Sequence, residues 1–188
     1  MPWYHGTPID FETFDPAFVG RGNDELGSGF YFTDNFDTAK NYALKAGDDE
    51  DRVVVVAEFD ITNPLPLEGG FTFSQIEQIM RASSEFDEVL MNFGDVDYEG
   101  EAKVIGFAVK TYATTIEGDT LMGLNALSND FYQGREAEFL RAVNIASGYD
   151  GLIRPKGGEL HAVVWLPERI KIVERLKPAA MTSSMSPG

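Results

Sequence analysis

The segments with strand character in this chain lie towards its two ends, and the stretch between them reads as helical. Residues 3–5, 29–33 and 53–61 are rich in aromatic and β-branched side chains, as are 151–153, 160–166 and 170–173. Such residues favour the pleated, half-buried surface of a strand. Between 65 and 135 apolar residues instead recur at helical spacing: Ile105, Ala108, Val109 and Tyr112 over 101–113, and Leu121, Leu124 and Leu127 over 120–131. Strands gathered on either side of a helical middle predict an α+β domain, because alternating βαβ units would spread the helices evenly. With 188 residues, no internal repeat and no long linker, the expectation is one domain over 1–177. It carries a helical insertion at 65–135 and ends in a flexible tail at 178–188.

Local signals refine this order. Gly6-Thr7-Pro8 reads as a turn after the first strand. Asn35 or Asp37 is placed to cap a helix running to about Lys45, with Ala39, Tyr42, Ala43 and Ala46 on one side. Ser74 with Glu77 has the spacing of a capping box ahead of Ile76, Ile79 and Met80. Residues 136–147 read as helix with Gly148 at the C-terminal stop, and 154–159 as a glycine-rich loop between two strands.

Charge and cysteine usage exclude several classes of function. The chain holds 31 acidic against 15 basic side chains, a net charge of −16, which argues against broad binding to a phosphate backbone. There is no cysteine, hence no disulfide, thiolate metal site or cysteine nucleophile. Two histidines with scattered carboxylates give no metal-ligand spacing, and no metal is expected. The first residues have neither a basic stretch nor an apolar run of signal length, and 53–57 and 162–166 are too short to span a bilayer. The expectation is a cytoplasmic protein with no membrane partner.

The candidate chemistry concentrates in a few residues. His5 ends the first strand and is followed by Gly6, which permits close approach to the backbone, and by the small hydroxyl of Thr7. His161 lies two residues after Glu159, so on a strand both side chains emerge from one face. The alternative to a functional pair is two satisfied structural histidines, the ordinary role of a lone histidine. Tyr31 and Tyr42 sit eleven positions apart on a strand–loop–helix unit. Either they are two core tyrosines or they face each other across a slot that fits a flat aromatic ring.

The string Trp3-Tyr4-His5-Gly6-Thr7, followed by Gly29-Phe30-Tyr31-Phe32-Thr33 and a helix carrying Asn41-Tyr42, resembles the nicotinamide pocket of ADP-ribosyltransferases of the diphtheria-toxin and poly(ADP-ribose) polymerase branch. Residues 147–173 resemble the closing strands of phage and bacterial members, and 53–63 the strand between. The resemblance covers about 1–64 and 147–173 and implies a split β-sheet core with NAD as substrate. It implies that His5 bonds the adenosine ribose and that the Gly6 backbone reads the carboxamide, with Thr7 beside it. Tyr31 and Tyr42 would sandwich the cationic pyridinium ring. Arg21 falls where some members place an adenosine-side arginine, and Ala39 stands where many have serine.

The third catalytic position departs from the pattern. Members place glutamate at the start of the closing strand, and the corresponding residue here is His161, with Glu159 two positions upstream. Either Glu159 reaches the ribose and stabilises the oxocarbenium-like transition state, or His161 holds the ribose while Glu159 orients the acceptor. Electrostatics favours the first, since a carboxylate stabilises developing positive charge and an imidazole does so poorly. The resemblance thus implies an NAD-dependent mono-ADP-ribosyltransferase with a protein acceptor. An NAD glycohydrolase and a non-catalytic NAD- or partner-binding module of the same fold are the alternatives.

Overall fold

In a computed structural model of the chain, the described residues are 1–15, 18, 29–45, 52–82, 115, 118–131 and 147–177. The chain divides into two compact units, one formed by 1–17, 30–62 and 151–188 and the other by 18–29 and 63–150.

The first unit is built on a six-stranded sheet in which every adjacent pair is antiparallel. Its strands are β1 (Trp3–Thr7), β2 (Phe30–Thr33), β3 (Val53–Glu58), β4 (Gly151–Lys156), β5 (Glu159–Val164) and β6 (Lys171–Leu176), in the order β4-β5-β2-β1-β3-β6. Helix α1 (Phe36–Lys45) packs on one face through Ala39 and Ala43, which meet Val54 and the flanking Tyr4, Phe36 and Leu176. The opposite face carries an aromatic layer in which Trp3 stacks on Phe59 and Phe32 packs between Phe14 and Phe59. Val53, Val54 and Val55 are fully buried, as a strand covered on both faces requires, and each contributes about 1.5–3 kcal/mol of burial energy.

Several local expectations change. Gly6 and Thr7 belong to β1 rather than to a turn. Asn35, not Asp37, caps α1: its Oδ1 accepts the backbone N–H groups of Asp37 and Thr38 at 2.9 and 3.2 Å. Residues 154–156 and 159 are strand rather than loop. The reversal needs only Gly157 and Gly158, whose φ values of 65° and 89° are those of a two-residue hairpin turn that side-chain-bearing residues enter at a cost. Pro155 is tolerated because β4 lies at the sheet edge. The last strand extends to Leu176.

The second unit contains α2 (Phe73–Ala82) and α3 (Thr120–Phe131). The capping box of α2 is Thr72 with Gln75, two residues before the expected pair. Thr72 N–H donates to Gln75 Oε1 at 2.8 Å, and Gln75 N–H to Thr72 Oγ1 at 3.4 Å. Glu77 instead pairs with Arg81 one turn on, at 2.9 Å. Asp119 caps α3 by accepting the Met122 N–H at 2.9 Å. Gly148 has the positive φ of a helix stop, 74°. The helices expected at 101–113 and 136–146 and the tail at 178–188 lie outside the described residues.

Candidate active site

The registers of the sheet align side chains from several strands in one row. Val56 pairs with Tyr4, Tyr4 with Thr33, Thr33 with His161, and His161 with Arg154. Directly paired residues emerge on the same face, and Tyr4 belongs to the α1 cluster, so this row faces α1. Strand alternation adds Tyr31, two residues from Thr33, and Glu159, two from His161. His5 lies on the other face, where its ring contacts Phe11, Phe14 and Phe32.

Glu159 is held from three sides. The Thr38 hydroxyl on α1 donates to Oε2 at 2.8 Å, His161 Nε2–H donates to Oε1 at 2.7 Å, and Thr33 adds a further hydrogen bond. Desolvation pushes the carboxyl up, but the bonds from Thr38 and His161, the attraction of His161 and the bond from Thr33 outweigh it, leaving its pKa below the ordinary value. Glu159 is therefore a carboxylate at neutral pH and can only accept. His161 Nε2 must then carry the proton. In the neutral ring this leaves Nδ1 as a bare lone pair, and among the described residues Nδ1 has no hydrogen-bond partner. Asp34 secures the end of β2 to β5 by accepting the Leu160 N–H at 2.9 Å and donating its own N–H to the Leu160 carbonyl at 3.1 Å.

The sheet is weakest between β1 and β2, where the ladder consists of the single pair Tyr4–Thr33. Continued one step and then another, the same register would set Gly6 against Tyr31, but no pair forms there. Instead His5 Nδ1–H donates to the Tyr31 carbonyl at 2.7 Å. Burial lowers the His5 pKa more than this bond raises it, so the ring is neutral and Nε2 is its acceptor side.

A family model of the ADP-ribosyltransferase in polyvalent proteins matches residues 1–179. The chain belongs to this family. No curated protein and no solved structure matches it. Membership makes the chain an ADP-ribosyltransferase domain, and the antiparallel sheet with its helices agrees with that fold.

Within this ADP-ribosyltransferase domain the expected residues separate into groups. Glu159 and His161 are in direct contact, and Tyr31 shares their face of the sheet. His5 touches Tyr31 through the backbone but does not join the Glu159–His161 pair. Tyr42 is 54% exposed on α1, which rules out a core role for it. Gly6 is closely approached, but by α1: a Cβ there would sit 1.8 Å from the Ala39 carbonyl oxygen. The Thr7 hydroxyl is engaged by the N–H and C=O of Ile9, both at 3.2 Å. Arg21 lies outside the described residues.

Sequence reasoning missed Thr38, Thr33 and the cations Arg154 and Lys156, which stand across the hairpin from His161 and Glu159. Gly157-Gly158 was the signal for the last two, since a two-residue turn pairs the residues on either side of it. Thr38 left no signal, because its partner is far away in the chain. An open groove of about 560 Å³ lies at the opposite edge of the sheet, along β3 and β6, remote from Glu159. No helix among the described residues is long and apolar enough to cross a membrane.

Proposed function

We propose that the domain cleaves the nicotinamide–ribose bond of NAD and transfers a single ADP-ribose to a protein acceptor, with Glu159 as the residue that stabilises the ribosyl cation. The observation that carries this reading is the ionised Glu159 carboxylate, fixed by Thr38 and His161 on the face that Tyr31 shares. Of the roughly four lone-pair sites on the carboxylate, those facing Thr38, His161 and Thr33 are taken, which leaves one for a ribose hydroxyl. A preorganised negative charge favours a dissociative transition state because it needs no reorganisation as positive charge develops at C1′.

Tyr31 and Tyr42 would enclose the pyridinium ring, with Gly6 offering backbone groups at the point where β1 and β2 part. His5 would offer Nε2 to a ribose hydroxyl while its other nitrogen steadies the Tyr31 backbone. Arg154 and Lys156 supply local positive charge on a protein whose net charge is −16, which suits an anionic dinucleotide. The domain would act in the cytoplasm, and the 65–135 insertion would recognise the acceptor.

The test is incubation of purified protein with NAD and a proteome, reading released nicotinamide and ADP-ribose adducts by mass spectrometry. Glu159→Gln should reduce nicotinamide release on the order of 10²–10³-fold. Free ADP-ribose without adducts would assign hydrolysis instead. Binding of NAD with no nicotinamide released would assign a non-catalytic module.

A further inference from the structure

We infer that His161 Nδ1 is the general base that takes the proton from the acceptor, and that the acceptor is accordingly a neutral hydroxyl group, a serine or threonine side chain. The inference rests on the function proposed above and names the acceptor chemistry of the same site.

The geometry carries it. His161 is 9% exposed and on the α1-facing side of β5, with one ring nitrogen bound to Glu159 at 2.7 Å. A carboxylate accepting from one imidazole nitrogen fixes the tautomer and directs the basic lone pair of the other away from itself. A nitrogen on a nearly buried ring, with no protein partner among the described residues, is poorly compensated unless it is used, since an unsatisfied polar atom forfeits hydration. Nε2 of the same ring touches the carboxylate that faces the developing cation, and Nδ1 lies one ring's breadth beyond it. It is therefore close to where a nucleophile must arrive.

The step balances. The acceptor oxygen forms a bond to C1′ as the C1′–nitrogen bond breaks, and nicotinamide leaves as a neutral molecule with the bonding pair. The hydroxyl proton passes to His161 Nδ1, and the resulting imidazolium is neutralised by Glu159 until the proton is lost to water. A carboxylate acceptor has no proton to give and makes no use of this nitrogen. A guanidinium acceptor would meet the cations Arg154 and Lys156, which sit in register with His161 and Glu159 on β4.

Two measurements test it on the full chain. The first offers serine, glutamate and arginine peptides with NAD to the wild type and to His161→Gln, which keeps a donor for Glu159 but has no basic nitrogen. The expected result is adducts on serine that survive neutral hydroxylamine. In the variant, transfer should fall on the order of 10²–10⁴-fold, with a much smaller loss of nicotinamide release. Serine transfer retained in the variant, or adducts confined to glutamate or arginine, would overturn the inference and leave the proposed NAD cleavage standing. Absence of nicotinamide release from the wild type would overturn both.

The second measurement is nitrogen-15 NMR of the ring nitrogens, readily assigned in a chain with two histidines. Neutral His161 should be protonated at Nε2 and bare at Nδ1. The opposite tautomer would refute the inference without any assay of activity.

Discussion

Gly6 on β1 lies directly under the Ala39 carbonyl of α1, so close that no side chain fits between strand and helix. The contact sets the height of α1 above the sheet, and with it the position of Thr38, whose hydroxyl reaches Glu159. Gly6→Ala should therefore destabilise the fold by about 1–3 kcal/mol or more, as overpacking against a backbone atom does. Urea denaturation of the variant measures it, and an unchanged midpoint would contradict the packing described.

Thr38→Val keeps the shape of the side chain and removes the donor to Glu159. Hydrogen bonds to charged groups are worth about 1.5–3 kcal/mol, so NAD turnover should fall roughly 10- to 100-fold, mainly in kcat. Thr38→Ser should restore most of it. A turnover rate equal to that of the wild type would show that the clamp on the carboxylate has no part in catalysis.

The two tyrosines should respond differently. Tyr42 is exposed, so Tyr42→Ala should change stability by less than about 0.5 kcal/mol. Loss of its face towards a cationic ring should still raise KM for NAD, roughly 2- to 30-fold. Tyr31→Ala should raise KM as well and also lower stability, since its side chain is half-buried on the sheet. If Tyr42→Ala leaves KM unchanged, the pyridinium does not sit between these rings.

Stability should depend on pH through His5. Its native pKa lies below the ordinary 6.5 because burial disfavours the charged ring. Below that pH the unfolded chain takes up a proton that the native chain refuses, so stability declines as the pH falls from 6.5. The contribution from Glu159, whose native pKa is lowered, is lost only at more acid pH, below its ordinary 4.5. His5→Asn keeps a donor for the Tyr31 carbonyl and does not titrate. Urea midpoints at about pH 7.5 and pH 5.5 should therefore diverge less in the variant than in the wild type.

How much of the site could be read from sequence depended on the range of the interaction. The shared face of Glu159 and His161 follows from strand alternation over two residues, and the helix after β2 follows from a cap residue and a run of helix formers. The hairpin around Gly157 and Gly158 was also local, but Pro155 and the glycines read as a break in structure, although they mark an edge strand and its turn. The capping box of α2 was misplaced by two residues because Ser74-x-x-Glu77 and Thr72-x-x-Gln75 satisfy the same pattern. Thr38 against Glu159, Gly6 against Ala39 and Asp34 against Leu160 join residues distant in the chain. They arise from sheet order and helix placement, which no local pattern encodes.

The lone Tyr4–Thr33 pair makes the boundary between β1 and β2 a parting line, with β4, β5 and β2 forming one plate and β1, β3 and β6 the other. Each plate is cross-linked internally by long ladders, so thermal motion is expected to concentrate at the line and not within either half. A flat guest wedged beside Tyr31 would spread two stiff plates and break almost no backbone hydrogen bonds in doing so. Amide exchange should accordingly be fastest along this line in the empty protein, and slowed there first when dinucleotide is added.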